Sequence, residues 1–183
     1  EVFLHMAKDS RLSADQIERY SRQILVPDLG GKSQIRLLHS RVLVIGAGGL
    51  GSPAAFYLAA AGIGTLGIVD PDRVELSNLQ RQILHATQDI GRSKTESATQ
   101  KLHELNPDVE IKTYSVRFES SNAAEIAASY DFIVDGSDNF ETKFLVNDVA
   151  IRLGIAFSHA GIVRLQGQTM TVLPGKTACY RCL

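Results

Sequence analysis

Residues 42–70 read VLVIGAGGLGSPAAFYLAAAGIGTLGIVD, and how this stretch is divided decides the fold. No charged residue occurs from Val42 to Val69, so by length alone the run would pass for a membrane-crossing helix. Glycines at 46, 48, 49 and 51 near its start, and at 62, 64 and 67 near its end, split it into shorter elements. Val42-Leu43-Val44-Ile45 is an apolar, β-rich run of the kind buried in a parallel sheet. A glycine-rich turn follows. Pro53 then falls where proline is tolerated, in the first turn of a helix. Ala54 to Ala61 is strongly helix-forming, and its alanines let the helix lie close to a sheet. Gly62 is a natural stop. Leu66-Gly67-Ile68-Val69 is a second strand, ending at Asp70. The reading is strand, turn, helix, strand.

The flanks repeat this alternation. Before it, Ser13 and Gln16 form a capping box, and Ile17, Tyr20, Ile24 and Leu25 recur at helical spacing. Pro27, Gly30 and Gly31 break that pattern, and Ile35, Leu37 and Leu38 suggest a second short helix before Arg41. After Asp70 the chain is polar and irregular to Gly91. A helix is expected from Lys94 to Leu105, stopped before Pro107. Glu110 to Val116 reads as a third strand, Ala123 to Ser129 as a short helix, and Phe132-Ile133-Val134 as a fourth strand ending at Asp135. A helix through Phe144, Leu145 and Val149 stops at Gly154. Ile155-Ala156-Phe157 is a fifth strand, and Gly167 to Leu173 alternates weakly like a further one. Strands alternating with helices imply an α/β fold with a doubly wound, mainly parallel sheet, Rossmann-like, preceded by N-terminal helices. The expected division is a helical segment over 1–40 and the sheet domain over 41–183.

With 183 residues, 19 Lys plus Arg and 20 Asp plus Glu, the chain is ordinary for one globular domain and close to neutral. That balance argues against a nucleic-acid or membrane surface as partner. Two cysteines cannot build a disulfide scaffold. Glu1 to Met6 has neither the basic nor the apolar region of a signal peptide. A cytoplasmic chain is expected.

Gly46, Gly48 and Gly51 form G-x-G-x-x-G directly between a strand and a helix, a context suited to backbone approach by a nucleotide. Asp70 follows at the offset where an acidic residue accepts ribose hydroxyls. Two simple readings arise: a dinucleotide-binding oxidoreductase domain using NAD(P), or glycines that only permit close helix–strand packing. The segment Asp70-Pro71-Asp72-Arg73-Val74-Glu75-Leu76-Ser77-Asn78-Leu79-Gln80-Arg81-Gln82, with Lys94 soon after, tilts the choice. Cations suit a triphosphate, whose charge they neutralise. The bland alternative makes Arg81 and Lys94 solvated surface charges. The fourth strand runs into Asp135-Gly136-Ser137-Asp138-Asn139, so Asp138 falls near the strand ends where ligands bind and could hold magnesium. The bland reading is a helix N-cap, and the two roles are compatible. Gly91-Arg92-Ser93-Lys94-Thr95 lacks the spacing and preceding strand of a Walker A motif, so ATP would bind in a Rossmann manner. His85, His103 and His159 have no ligand spacing and read as structural.

Taken in order, Arg19-Tyr20-Ser21-Arg22-Gln23-Ile24, Gly46-Ala47-Gly48-Gly49-Leu50-Gly51, Asp70-Pro71-Asp72, Ser77 to Gln82, Lys94, Asp138-Asn139 and Cys179-Tyr180-Arg181-Cys182 closely resemble the ThiF/MoeB family. These are adenylyltransferases that activate small ubiquitin-like sulfur carriers, and ubiquitin-activating enzymes share their adenylation domain. The resemblance runs from Ser13 to the last residue. It implies that ATP and the C-terminal Gly-Gly carboxylate of a carrier give an acyl-adenylate and pyrophosphate, for thiamine, molybdopterin or related thiolation pathways. It implies that Gly49 lies against the nucleotide within the loop of Gly46, Gly48 and Gly51, and that Asp70 holds the ribose. Asn78, Arg81 and Lys94 would reach the phosphates, with Asp72, Ser77, Leu79, Gln80 and Asn139 lining the same site. Asp138 would hold magnesium. Arg22 matches an arginine that enters the neighbouring subunit's site, which implies a homodimer; otherwise it is a surface arginine. Arg22, Arg81, Lys94 and Asp138 are the expected catalytic residues, and their presence speaks against a non-catalytic scaffold of the same fold. Cys179 and Cys182 match half of a four-cysteine zinc site. The second pair would lie beyond Leu183, so the chain is expected to be a truncated form; a redox role for a lone CxxC is the alternative.

Overall fold

A computed structural model describes residues 11–182. The leader-peptide reading of Glu1 to Met6, and Leu183, lie outside the described residues. Arg41–Ile45 (β1) pairs in parallel with Thr65–Val69 (β2) on one side and with Phe132–Asp135 (β4) on the other. Glu110–Tyr114 (β3) extends the sheet beyond β2, and Ala156–Val163 (β5) and Gln166–Val172 (β6) extend it beyond β4, giving the order β3-β2-β1-β4-β5-β6. All neighbours are parallel except β5 and β6, which form an antiparallel hairpin. The chain winds outward from β1 in one direction and then restarts on its other side. The carboxyl ends of β1 and β4 therefore flank the topological switch point, where open α/β sheets bind ligands.

Six helices stand around this sheet besides the short Ser21–Ile24 turn (α2): Ala14–Arg19 (α1), Gly30–His39 (α3), Gly51–Ala61 (α4), Lys94–Leu105 (α5), Ala123–Ala127 (α6) and Phe140–Leu153 (α7). Strand alternation sorts the core into two layers. Val42, Val44, Leu66 and Ile68 pack with Ala55, Ala59, Ala98 and Leu102 of α4 and α5. Leu43, Ile45, Ile133 and Phe157 pack with Ala127 of α6 and with Val146, Val149 and Ala150 of α7. The long uncharged run is thus β1, α4 and β2, and no helix among the described residues is long and apolar enough to cross a membrane.

Most boundaries match the sequence reading, including the Ser13–Gln16 capping box and α5. Four differ. The first helical pattern is cut at Tyr20 into α1 and α2, because the Tyr20 side chain turns inward, where its hydroxyl accepts from Asn106 Nδ2 (2.9 Å). Gly30 and Gly31 open α3 rather than ending a helix. The third strand stops at Tyr114, two residues early, where its partner β2 ends. The fifth runs on to Val163, because β6 folds back along it and supplies a ladder beyond the end of β4.

Candidate nucleotide-binding site

Two glycines of the G-x-G-x-x-G turn build it, and the others leave it open. Gly46 has φ +90°, and a Cβ on Gly51 would lie 1.7 Å from the Gly46 carbonyl oxygen. A Cβ on Gly136, in the turn after β4, would lie 2.9 Å from the Gly51 nitrogen. These three residues knit β1, α4 and the β4 turn together. A Cβ on Gly48 or Gly49 would meet only side-chain atoms, Gln82 Nε2 at 3.7 Å and Arg81 Cγ at 3.5 Å respectively. Close packing therefore accounts for Gly46 and Gly51 and not for the middle pair. The N–H groups of Gly48, Gly49, Leu50 and Gly51 have no acceptor among the described residues. At the start of an eleven-residue helix they form a row of donors with the positive end of the helix dipole behind them.

Asp70, at the end of β2, is buried and braces this turn. Its Oδ2 accepts the Ala47 N–H (2.8 Å) and its Oδ1 the Asp72 N–H (2.9 Å). Lys94, the first residue of α5, brings Nζ to 2.8 Å from Asp72 Oδ2 and 3.8 Å from Asp70 Oδ1. Its side chain is only 7% exposed, so it is no solvated surface charge. His85 is buried beside it, with Nε2 against the Ala47 carbonyl (3.1 Å) and Nδ1 against Ser97 Oγ (2.9 Å). Burial holds the imidazole below its ordinary pKa, and Lys94 adds to that, against the pull of the Ala47 carbonyl.

The 76–82 segment wraps the open side of the turn. Leu76–Asn78 forms a single 3₁₀ turn, closed by Asn78 Oδ1 accepting the Glu75 N–H (3.1 Å). Ser77 Oγ donates to Glu75 (3.3 Å), Leu79 is half-buried and Gln80 is exposed. The turn throws Arg81 across Gly49, its Nη1 donating to the Ser77 carbonyl (3.1 Å). Gln82 is buried against Gly48, and its Oε1 is a buried polar atom with no partner among the described residues. Buried polar groups are ordinarily paired, so this oxygen stands out beside the turn. Sequence reasoning quoted Gln82 but assigned it no role.

Across the switch point, Asp138 is exposed and its side chain makes no hydrogen bond or ion pair among the described residues. It is not the helix N-cap, which is one of the two readings the sequence left open. Asn139 caps α7, accepting the Thr142 N–H (2.9 Å). Beneath this loop lies a cluster that sequence reasoning missed. Asp135 Oδ1 accepts from the backbone N–H (3.0 Å) and hydroxyl (2.6 Å) of Ser137. Its Oδ2 faces Lys143 Nζ (3.3 Å) and His159 Nδ1 (2.8 Å). Lys143 also donates to the Ala160 carbonyl (2.8 Å). The available signal was position, since Asp135 ends its strand as Asp70 ends β2.

Cys179 and Cys182 place their sulfurs 3.5 Å apart on one turn. The Arg181 backbone N–H, helped by Cys182, holds the Cys179 thiol below its usual range. The turn is docked on α7 by Arg181, bonded through Nε and Nη2 to both Asp148 oxygens (2.6 Å each), and by the Tyr180 N–H on Asn147 Oδ1 (2.9 Å). Among the described residues no group of three or more His, Cys, Asp or Glu could hold a metal. Arg22 is exposed on α2, whose Gln23 side chain is bonded to Ala61 at the far end of α4. Eleven residues of helix, about 16 Å, separate that end from the glycine turn. The fold does not bring Arg22 to its own chain's site.

The chain resembles the SAMP-activating enzyme E1 of Haloferax volcanii, at 49% identity over 94% of this chain and 63% of that protein. It resembles the sulfur carrier protein adenylyltransferase of Thermus thermophilus at 46% identity, over 94% of this chain and 66% of that one. Among solved structures, E. coli MccB with ATP superposes with a TM-score of 0.81 at 28% identity, over 90% of this chain and 51% of MccB. The chain thus spans less than two thirds of the length of each of these relatives. The model of the ThiF family matches residues 20–183, and the chain belongs to that family.

Proposed function

We propose that the chain carries the ATP site of an adenylyltransferase that activates the C-terminal glycine carboxylate of a ubiquitin-like sulfur-carrier protein. The observation that carries this reading is the row of unpaired N–H groups at Gly48–Gly51, flanked by Arg81 over Gly49 and by the buried Lys94. Such a donor row suits phosphate oxygens. The relative from Thermus thermophilus, named for acting on a sulfur carrier, supports the substrate class.

The chemistry asks little of acid–base groups, because the carrier carboxylate is already ionised at neutral pH. One carboxylate oxygen attacks the α-phosphorus. The bond from that phosphorus to the bridging oxygen breaks, and pyrophosphate leaves with the electron pair. The chain's task is orientation and charge stabilisation. In this reading the glycine turn grips the phosphates, Asp70 receives the ribose, and Arg81, Asn78 and Lys94 offset phosphate charge. Lys94 would exchange part of its bond to Asp72 for a phosphate oxygen. The exposed, unpaired Asp138 fits a magnesium ligand, and the ion would neutralise charge on the departing phosphates. Arg22, exposed and remote from its own chain's glycine turn, fits a role in a second copy, and a homodimer is part of the proposal. Cys179 and Cys182 have the spacing for two of the four ligands of a structural zinc ion.

Calorimetry with ATP and magnesium, run beside NAD, tests the first step. Binding of ATP alone is expected, and binding of NAD in its place would overturn the reading. With a carrier ending in Gly-Gly, ATP–pyrophosphate exchange is expected to vanish in Lys94→Ala and Asp138→Ala. Near-normal exchange in either variant would refute its assigned role.

A further inference from the structure

We propose that His85 is a positioning residue for the glycine turn, fixing the Ala47–Gly48 peptide and with it the direction of the Gly48 N–H. The inference rests on the reading that this turn takes phosphates. Ala47 is held through the peptide groups on both sides of it. Asp70 accepts its N–H (2.8 Å), while its carbonyl accepts from His85 Nε2 (3.1 Å) and Ser52 Oγ (3.1 Å). A trans peptide is planar, so the N–H of Gly48 points opposite to the Ala47 carbonyl. Holding that carbonyl inward on His85 turns the Gly48 N–H out toward the open side of the turn. It joins the unpaired donors of Gly49, Leu50 and Gly51 there.

The ring itself is oriented by α5. A carbonyl can only accept, so Nε2 carries the hydrogen; in the neutral ring Nδ1 must then accept, and it does so from Ser97 Oγ (2.9 Å). Both His85 and Ser97 are buried, which strengthens each bond in the chain and makes its loss costly. A residue kept only for its volume would need no donor at Nε2. One that positions the turn does.

The 183-residue chain tests this with His85→Phe, which keeps a ring without a donor, and His85→Gln, which restores an N–H at similar reach. Amide exchange by NMR in the nucleotide-free chain reads the bonds that flank the held peptide, at Ala47 and Ser52, whose N–H groups bond to Asp70 and to the Gly48 carbonyl. Leu43 in the middle of β1 is the control. His85→Phe is expected to speed exchange about 10-fold at Ala47 and Ser52 and not at Leu43, and to weaken ATP binding about 10-fold, the loss of roughly one hydrogen bond. His85→Gln should return both within about 3-fold of the parent chain. Should His85→Phe fail to fold, Ser97→Ala carries the test, with exchange at Ala47 faster by about 3-fold. Unchanged exchange at Ala47, or equal impairment in Phe and Gln variants, would overturn the proposal. If the parent chain binds no ATP, the functional reading falls, while the exchange pattern still decides the positioning role.

Discussion

Asp70, just past β2, and Asp135, the last residue of β4, are both buried carboxylates at the carboxyl end of a strand neighbouring β1, each beside a buried lysine, yet they are held differently. Asp70 gives both oxygens to backbone N–H groups, and its lysine rests mainly on Asp72, whose side chain is well exposed. Asp135 faces a lysine, a histidine and a serine hydroxyl, all buried. On the β2 side the carboxylate shapes a turn and leaves its cation a route to solvent. On the β4 side it is the centre of a sealed network. Removing one partner of a buried ionic network strands the others, whereas a lysine with a second, exposed partner is not stranded. Asp135→Ala is therefore expected to cost about 3–5 kcal/mol in urea unfolding. Asp70→Ala should cost at least about 1 kcal/mol less. Equal losses would break the comparison.

A second contrast lies within the glycine turn. Gly51→Ala must drive a methyl group into the Gly46 carbonyl, so α4 has to shift off the sheet, at a cost of about 3 kcal/mol in thermal or chemical unfolding. Gly48→Ala meets only the flexible end of Gln82, so stability should change by less than about 1 kcal/mol. Its effect should fall on nucleotide affinity instead. A Gly48→Ala chain as unstable as Gly51→Ala would show that the whole turn is packing.

These contrasts also show what sequence could and could not carry. β1, α4 and β2 were legible because an uncharged run cut by glycines has few foldings, and α5 because its start and stop are both local signals. The pairing of Lys94 with Asp72 was not legible, because its members lie 22 residues apart in separate motifs. The Asp135 cluster was hidden because its members come from β4, α7 and β5, and only the parallel register that sets Asp135 beside His159 unites them. His85 read as an isolated histidine for the same reason, since its partners, Ala47 and Ser97, lie 38 and 12 residues away. The length of β5 was missed because it depends on β6, whose alternation is weak and half polar.

Acid titration separates two groups beside α5, His85 and Asp89, by window. Burial, foremost, holds folded His85 below the ordinary histidine value of about 6.5, so below that pH the unfolded chain binds more protons. Stability should fall as pH drops from about 6.5 toward the depressed folded value, and His85 should contribute no slope above it. The carboxyl of Asp89 is held low against its own burial by the Ala86 N–H and Lys101, so its loss of stability begins only below about pH 4. Urea unfolding at pH 7.5 and 5.5 should show up to about 1 kcal/mol lost in the parent chain. The loss should be smaller in His85→Gln, which has no proton to gain. An identical slope in both would place the titration elsewhere.

The smallest effect concerns backbone strain, which the two sides of the sheet also distribute differently. Between β1 and the end of β3, positive φ falls only on glycines 46, 62 and 91. Beyond β4, Arg164 takes φ +56° as the first residue of the two-residue turn joining β5 to β6. Hairpin turns of this length need positive φ there, because their twist must match that of the strands, and glycine meets the need without a Cβ penalty. Arg164 makes no side-chain hydrogen bond or ion pair among the described residues that would offset the strain. Arg164→Gly should therefore stabilise the chain by up to about 1 kcal/mol, less whatever the added freedom of glycine gives the unfolded state. Because β6 supplies the ladder that carries β5 past His159, the gain should appear as slower amide exchange along that hairpin, with exchange at the β2 side unchanged. A destabilised Arg164→Gly would mean that entropy of the unfolded chain outweighs the left-handed strain at this turn.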